Sequence, residues 1–176
     1  MPKVAQRELS FTRADYDRLP EDLRVELIDG KLLKMASPTL NHQGIARALF
    51  LALLKVADAR RVYFGPVDFH VDDRNALVPD VVVLPEGFAP LAGQRGVTSA
   101  LLVGEVLSPS TSKRDRTVKT KRYLGAGVKE VWLLDPDART IEIRTPKGER
   151  RHAGGEIARS DAVPGFETAC ETIFSG

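Results

Sequence analysis

Two acidic residues stand inside apolar stretches of the sequence that are typical of buried strands. Glu105 lies within residues 101–107, and Asp80 lies within residues 78–84. An ionised carboxylate in an apolar strand is costly unless a cation, a metal ion or hydrogen bonds compensate its charge. Because hard oxygen ligands suit Mg²⁺ or Mn²⁺, we expect Asp80 and Glu105 to hold one of these ions together.

A strongly basic segment follows the Glu105 strand, and it contains Lys113, Arg114, Arg116, Lys119, Lys121 and Arg122 against the single acid Asp115. At 100° per residue of helix, Asp115 and Lys119 share the face that apolar neighbours turn inward, whereas Lys121 lies roughly opposite. The spacing of Ser112 and Asp115 predicts a capping box at the start of this helix.

The basic helix has two interpretations. An exposed, solvated helix is the simpler one. Alternatively, its outer face holds the phosphate backbone of a nucleic acid, and the residues available for this are Lys113, Arg114, Arg116 and Arg122. A lysine beside the two acids would position and activate a water for attack on phosphorus, while the metal would stabilise the developing charge. Metal, lysine and basic surface together are what a nucleic-acid phosphodiesterase requires.

Other polar residues of interest have equally simple structural explanations. Glu26 sits in a predicted strand, residues 23–28, where the alternation could place it towards solvent. His42 lies on the apolar stripe of a predicted helix, where a half-buried histidine is more common than a ligand. Asp68 and His70 share a face of one strand, which could line a site or be the solvated face of an edge strand. We favour the solvated face on the pattern alone.

The elements predicted around these residues give a mixed α/β domain with a central sheet and two principal helices. The first half contains a short helix capped by Thr12, a hairpin turning at Asp29-Gly30, and a helix over residues 37–57 capped by Ser37 or Thr39. Several short strands follow, then the basic helix, which ends at Gly125-x-Gly127, and finally strands over residues 128–135 and 139–145. The helix over residues 37–57 carries an apolar stripe of Ile45, Leu49, Leu53 and Val56. Residues 1–10 are predicted to be a poorly ordered lead-in, and residues 11–176 a single domain.

Composition narrows the class of protein. The 176 residues are 43% hydrophobic and 28% charged, with a net charge of +2, which is ordinary for a globular protein. The single cysteine, Cys170, excludes an internal disulfide and argues against a cysteine-based zinc site. We find no apolar signal core at the N-terminus and no apolar run long enough for a membrane span, so we expect a cytoplasmic protein without membrane association. P-loop, Rossmann, hydrolase-elbow and zincin motifs are also absent.

Pro79-Asp80 followed by Glu105-x-Leu107 resembles the PD-(D/E)XK nuclease signature. In that signature a lysine stands two residues after the second acid, where this chain has Leu107. Several members of that superfamily carry the lysine on the next helix instead, and Lys119 could serve here. The longer ordered match is similar to the Uma-two (Uma2) family of restriction-endonuclease-like proteins. It comprises residues 25–30, Ser37-Pro38, His42, Pro79-Asp80, residues 105–111, Asp115-Arg116, Lys119, Tyr123, Gly127-Val128, residues 132–136 and residues 164–166.

This resemblance implies a restriction-endonuclease-like core, a Mg²⁺ or Mn²⁺ site and endonuclease activity on DNA. It implies metal ligation by Asp80 and Glu105, a third acid at Glu26 and a catalytic lysine at Lys119. His42, Asp68, Asp115 and Tyr123 become possible accessory residues. A homodimer would place one such site at each of the two strands of a DNA duplex. Two alternatives stay open: an inactive nucleic-acid or protein interaction module, which Leu107 favours, and a hydrolase of a small phosphorylated substrate.

Overall fold

The computed structural model describes residues 10–20 and 22–175. Its helical segments are α1 (Arg13–Tyr16), α2 (Leu40–Leu53), a 3-10 turn (Ala59–Arg61), α3 (Ser112–Arg114), a π-helical turn (Asp115–Lys119), α4 (Thr120–Gly125) and α5 (Cys170–Ile173). Its strands are β1 (Val25–Ile28), β2 (Lys31–Lys34), β3 (Val62–Phe64), β4 (Asp68–Asp72), β5 (Asn75–Leu77), β6 (Val81–Val83), β7 (Gly96–Val97), β8 (Leu102–Val106), β9 (Glu130–Asp135), β10 (Thr140–Thr145), β11 (Gly148–Ala153), β12 (Ile157–Arg159) and β13 (Glu167–Ala169). We call α3, the π-helical turn and α4 together the basic helix.

The central sheet is six-stranded and mixed, as the sequence predicts for the fold class. Its strand order is β11-β10-β9-β8-β6-β3. β8 and β9 run parallel, and the other neighbours pair antiparallel. All five residues of β8 are buried, because both faces of the sheet are covered.

Both faces of the central sheet are covered by helices. On one face, Leu49 of α2 joins a buried cluster with the strand residues that point towards it. On the other face, Val103 of β8 clusters with Tyr123 of α4 and with Phe69 of β4. Because side chains alternate along a strand, Glu105 projects towards the same face as Val103, under the basic helix. The two principal helices therefore lie where they can position the acidic residues.

A second sheet, which the sequence did not predict as a separate unit, carries Glu26. It is five-stranded, with the order β2-β1-β5-β4-β7. The hairpin of β1 and β2 turns at Asp29 and Gly30, both with positive φ, as the sequence predicts. β1 then pairs with β5 through Leu27 and Ala76, so the hairpin joins this sheet instead of the central one.

The boundaries of α1 and α2 partly confirm the capping predictions. Thr12 caps α1 through a complete capping box with Asp15. Thr39, not Ser37, caps α2, because its side chain accepts a hydrogen bond from the backbone N–H of His42. α2 ends at Leu53 instead of residue 57, so the predicted place of Val56 on the buried stripe is wrong and this side chain is 45% exposed.

The capping box predicted for Ser112 and Asp115 is wrong. The N-cap residue is Thr111, and no side chain caps the helix there. Asp115 is buried instead, at the start of the π-helical turn. The backbone N–H of Thr120 donates to the Asp115 carbonyl five residues back, as in a π-helix. The hydroxyl of Thr120 donates to the same carbonyl over 2.7 Å.

The remaining predictions concern the end of the basic helix, the two ends of the chain and membrane spans. Gly127, with φ of 89°, follows the end of α4 as predicted. The final turn α5 buries Ile173, and Phe174 is buried directly after it. Except for Ser10, the predicted lead-in lies outside the described residues. Within residues 10–20 and 22–175, no helix is long and apolar enough to cross a membrane.

Candidate active site

A cavity of about 430 Å³ opens between β1, the end of β8, the start of α2 and the basic helix. Its charged and titratable lining residues are Arg24, Glu26, His42, Asp80, Glu105, Arg114, Asp115, Lys119 and Asp137. The loop Ser108-Pro109-Ser110-Thr111 forms one side of its mouth. We call this space the acid cavity. It contains most of the site residues that the sequence analysis selected.

The backbone holds Asp80 directly beside Glu105. The N–H of Asp80 donates to the carbonyl of Gly104 over 3.1 Å. This hydrogen bond holds the residue that precedes β6 against β8. In return, the N–H of Val106 donates to Oδ2 of Asp80 over 2.8 Å. Asp80, which lies directly before β6 and not within the predicted strand, and Glu105 of β8 therefore both line one cavity.

Lys119 reaches into this cavity and contacts two acids at once. Its Nζ lies 2.7 Å from Oε1 of Glu26 and 2.8 Å from Oε1 of Glu105. A third acid, Asp115, lies 3.9 Å away and one turn back. Only 4% of the Lys119 side chain is exposed. The lysine points towards the acids, which satisfies the geometric condition for its proposed role in place of Leu107.

The π-helical turn contains, at its two ends, the two helix residues that meet in this site. It begins at Asp115 and ends at Lys119, and both are buried. A π-helical turn adds a residue to one helical turn and so rotates the following side chains relative to a regular helix. Such turns frequently occur at functional sites.

Glu26 is a buried partner of the lysine, so the solvent-facing position allowed by its strand pattern is wrong. Its exposed fraction is 2%, and its carboxylate contacts Lys119 and Arg114 of the basic helix. The backbone N–H of Val78 donates to its Oε1 over 2.9 Å. Arg114 Nη2 lies 3.9 Å from its Oε2. Glu26 is thus positioned to hold Lys119 in place.

Tyr123 fixes the orientation of Glu105. Its hydroxyl donates to Oε1 of Glu105 over 2.6 Å, and the ring is fully buried. Lys119 contacts this same oxygen, which leaves Oε2 of Glu105 for a further ligand. The sequence analysis included Tyr123 only as an accessory residue, and no pattern in the sequence indicates which carboxylate it bonds.

His42 stands at the edge of the acid cavity, in the first turn of α2. Its Nε2 lies 3.4 Å from Oδ2 of Asp80. Its Nδ1 is buried and finds no hydrogen-bond partner among the described residues. His42 is therefore able to steady Asp80, as an accessory residue would.

The acid cavity is short of positive charge. Burial raises the pKa of Glu105 well above its ordinary value, although Lys119 opposes this shift. Burial likewise raises the pKa of Asp80 and of Asp115. For Lys119, burial acts to lower the pKa, but the carboxylates around it, led by Glu105 and Glu26, raise it above its ordinary value. Lys119 is consequently protonated at neutral pH, and it acts as a cation and hydrogen-bond donor.

This charge distribution suits a divalent cation. Mg²⁺ is commonly bound by one or two carboxylates while it keeps several waters, and Asp80 and Glu105 supply such a pair. Among residues 10–20 and 22–175, no group of three or more His, Cys, Asp or Glu side chains is arranged as a complete metal site. Asp80 and Glu105 are the two carboxylates through which this cavity would hold a Mg²⁺ or Mn²⁺ ion.

Several predicted site residues lie outside the acid cavity. Asp68 accepts a hydrogen bond from the Tyr16 hydroxyl over 2.9 Å and lines a different cavity. Arg116 binds Asp135 at 2.6 Å and Glu142 at 2.8 Å, on the other side of the basic helix. These partners explain both residues structurally. Their roles in catalysis or in nucleic-acid binding stay predictions.

The remaining basic residues differ in their surroundings. Arg122 forms an ion pair with Asp29 of the β1–β2 turn. Lys113 is exposed, and Arg114 lines the acid cavity with its Nε buried and unpaired among the described residues. Of the basic residues predicted to bind phosphate, Arg114 lines the acid cavity and Lys113 does not.

An apolar residue, Leu107, occupies the usual lysine position in this chain, at the wall of the acid cavity. Only 3% of Leu107 is exposed, and it belongs to the same buried apolar cluster as Tyr123 and Val103. A charged ammonium there would lose its hydration unless it reached the cavity. The basic helix supplies the ammonium group from Lys119 instead.

Comparison with known proteins identifies the fold and the family. A family model described as "Uma2: Putative restriction endonuclease" matches residues 13–171. A solved structure from Anabaena variabilis ATCC 29413, described as a putative nuclease belonging to DUF820, superposes with a TM-score of 0.80. That structure shares 20% identity and is matched over 94% of this chain and 98% of its own, which establishes the fold. No curated protein matches the chain. Because the family model covers most of its length, the chain belongs to the Uma2 family.

Proposed function

We propose that this protein is an endonuclease that hydrolyses phosphodiester bonds in DNA and depends on Mg²⁺ or Mn²⁺. The observation that supports this most is the contact of Lys119 with Glu105 and Glu26, in a cavity that also holds Asp80. Membership of the Uma2 family supports a nuclease. The identity of the metal and the choice of DNA as substrate are parts of the proposal.

Asp80 and Glu105 would hold the metal ion through their carboxylate oxygens. When bound, such an ion would supply positive charge for the phosphate and for the leaving oxygen. The backbone N–H of Val106 and the Tyr123 hydroxyl hold these two carboxylates in fixed orientations. Preorganised groups of this kind avoid reorganisation at the moment of reaction.

Lys119 orients the attacking water through an N–H donor. Because its ammonium stays protonated, it does not remove the proton itself. It instead stabilises negative charge as the water approaches phosphorus. Glu26 is a positioning residue in this scheme, since it holds the ammonium from the side opposite Glu105. Arg114 lies at the cavity wall, where its guanidinium can contact the phosphate.

The test is cleavage of supercoiled plasmid by the purified protein in Mn²⁺ and in Mg²⁺. Asp80→Asn and Lys119→Gln are expected to reduce the cleavage rate by about 10²-fold or more. Lys121→Gln is the matched control, because Lys121 lies on the same helix but is exposed. Circular dichroism melting identifies variants that fail to fold. Cleavage that persists equally in Asp80→Asn would contradict the assignment.

The competing candidate is an inactive module that binds nucleic acid or protein with the same fold. The apolar environment of Leu107, at the usual lysine position, favours it. It predicts salt-sensitive DNA binding without cleavage and without metal binding in calorimetric titration. Homodimer formation and a cytoplasmic location stay predictions, and analytical ultracentrifugation tests the first.

A further inference from the structure

A second, larger cavity of about 1020 Å³ lies between α1, the hairpin of β1 and β2, and the loop over residues 85–96. Its aromatic and apolar lining includes Tyr16, Leu23, Tyr63, Val67, Phe88 and Val97. The volume is at the upper end of the range for small-molecule pockets, about 300–1,000 Å³. We call it the aromatic cavity. Nothing in the proposed hydrolysis uses it.

The aromatic cavity adjoins the acid cavity. Arg24, Met35, Pro66 and Val78 line both spaces, so they form a common wall. Val78 is also the residue whose N–H holds Glu26. A strand whose phosphate lies in the acid cavity therefore places its neighbouring nucleotide at this wall.

The charged residues that line the aromatic cavity differ from those at the common wall. Arg24 is exposed at the common wall and forms no ion pair with the described carboxylates, so it suits the phosphate that links two nucleotides. Beyond the wall, three acids and one arginine line the aromatic cavity, namely Asp17, Asp22, Asp68 and Arg95. These acids disfavour a phosphate there, but they accept hydrogen bonds from the amino groups of bases.

His70 adds an unused polar group to the aromatic cavity. It lines this space, and its Nε2 is buried without a hydrogen-bond partner among residues 10–20 and 22–175. Buried polar atoms normally have a partner, so a rotation of the imidazole that turned Nε2 into the cavity would let a polar ligand satisfy it. An uncharged, flat, heteroaromatic ligand satisfies the aromatic rings, the acids and the imidazole together.

We propose that the aromatic cavity receives an unstacked nucleobase of the DNA strand whose phosphate occupies the acid cavity. The proposal rests on the proposed nuclease function, and it makes single-stranded or locally unpaired DNA the preferred ligand. Base stacking on aromatic side chains tolerates many sequences, because every base has a π-face. The cavity therefore selects for an unpaired base more than for a particular sequence.

The test is equilibrium binding of a fluorescein-labelled single strand and of its duplex, measured by anisotropy in Ca²⁺ and again in EDTA. Tyr63→Leu and Phe88→Leu each remove one ring from the cavity while keeping an apolar side chain. Each is expected to weaken binding of the single strand by about 5- to 150-fold, with little effect on the duplex. Tyr63→Phe keeps the ring and should restore the affinity. Leu91→Ala is the matched control, because Leu91 is 76% exposed on the same loop and does not line the cavity.

Three results would overturn the base pocket. In the first, the wild-type protein binds no single-stranded DNA. In the second, Tyr63→Leu and Phe88→Leu leave the affinity for the single strand unchanged. In the third, these variants lose equal affinity for the single strand and for the duplex. Plasmid cleavage separates this proposal from the nuclease proposal. Single-strand binding that follows the expected pattern, in a protein that never cleaves, would overturn the nuclease function alone.

Discussion

Replacing Lys119 with methionine tests the electrostatic design of the acid cavity directly. Methionine keeps most of the volume and the unbranched shape of the side chain but removes the ammonium group. Glu26 and Glu105, which now share that ammonium at 2.7 and 2.8 Å, would face each other without a cation. Both carboxylates are buried, so water cannot replace the missing charge effectively.

The expected loss of stability is large for a single substitution. Removing one partner of a buried ion pair typically costs about 3–5 kcal/mol, because the other charge stays buried and uncompensated. For a domain of this size, each kcal/mol lowers Tm by about 2–4 °C. We therefore expect Tm to fall by about 6–20 °C in Lys119→Met.

Urea unfolding in EDTA is the appropriate assay, because the chelator keeps added stabilisation by metal ions out of the comparison. Lys121→Met is the control, since it removes the same charge from an exposed position on the same helix. Its cost should stay within about 0.5 kcal/mol. A loss below about 1 kcal/mol in Lys119→Met, close to that of the control, would refute the shared-ammonium interpretation.

A double-mutant cycle sharpens this result. Adding Glu26→Gln to Lys119→Met removes one of the two carboxylates left facing each other. The double variant should then be less destabilised than the sum of the single variants, by about 0.5–3 kcal/mol. Strict additivity would indicate that Glu26 and Lys119 do not interact.

Two further predictions concern the support of the site. Although burial opposes it, hydrogen bonds from Arg116 and Arg144 lower the pKa of Glu142 below its ordinary 4.5. A carboxylate whose pKa is lower in the folded protein stabilises the fold at pH values above its pKa in the unfolded chain. This stabilisation is lost as the pH falls through its pKa in the folded protein. Arg116→Met should therefore flatten the loss of Tm below about pH 4.5, and an acid limb identical to wild type would contradict this. Gly104→Ala should cost about 1–3 kcal/mol in urea unfolding, because the added Cβ would lie 2.5 Å from Cδ2 of buried Leu49. Gly125→Ala, which meets nothing within 4 Å, should be neutral or stabilising, and equal costs for both would refute the packing explanation.

The residues of the acid cavity differ in how far the sequence alone could identify them. Asp80 and Glu105 were identifiable because an acid in an apolar strand must be compensated, and both line the cavity. Glu26 was ambiguous, because its strand pattern allowed a solvent-facing position. Its environment is set by tertiary packing, because its carboxylate contacts Lys119 and Arg114 of the basic helix, which lies far along the chain. For Asp68 the pattern favours a solvated face, and only the family resemblance makes it a possible accessory residue. It lies outside the acid cavity and accepts a hydrogen bond from Tyr16.

The basic helix shows the same limit in its charged residues. A charge run indicates a basic surface, yet it does not reveal which members are already paired. Arg116 is held by Asp135 and Glu142, whereas Arg114 lines the cavity. Ion pairs between distant elements are fixed by tertiary packing, so the composition of one helix could not separate these two arginines.

The sequence by itself determined the α/β class, the hairpin at Asp29-Gly30, the family resemblance and the two acids of the central strands. These depend on local conformational preference and on the cost of burying charge, both of which act over short stretches of chain. The tertiary structure alone decided that Lys119 contacts both Glu26 and Glu105, and that Tyr123 bonds the same oxygen as the lysine. It also decided that two cavities share one wall. These features join β1, β8 and the basic helix across long sequence separations, and only the packing of two sheets against one helix brings them within bonding distance.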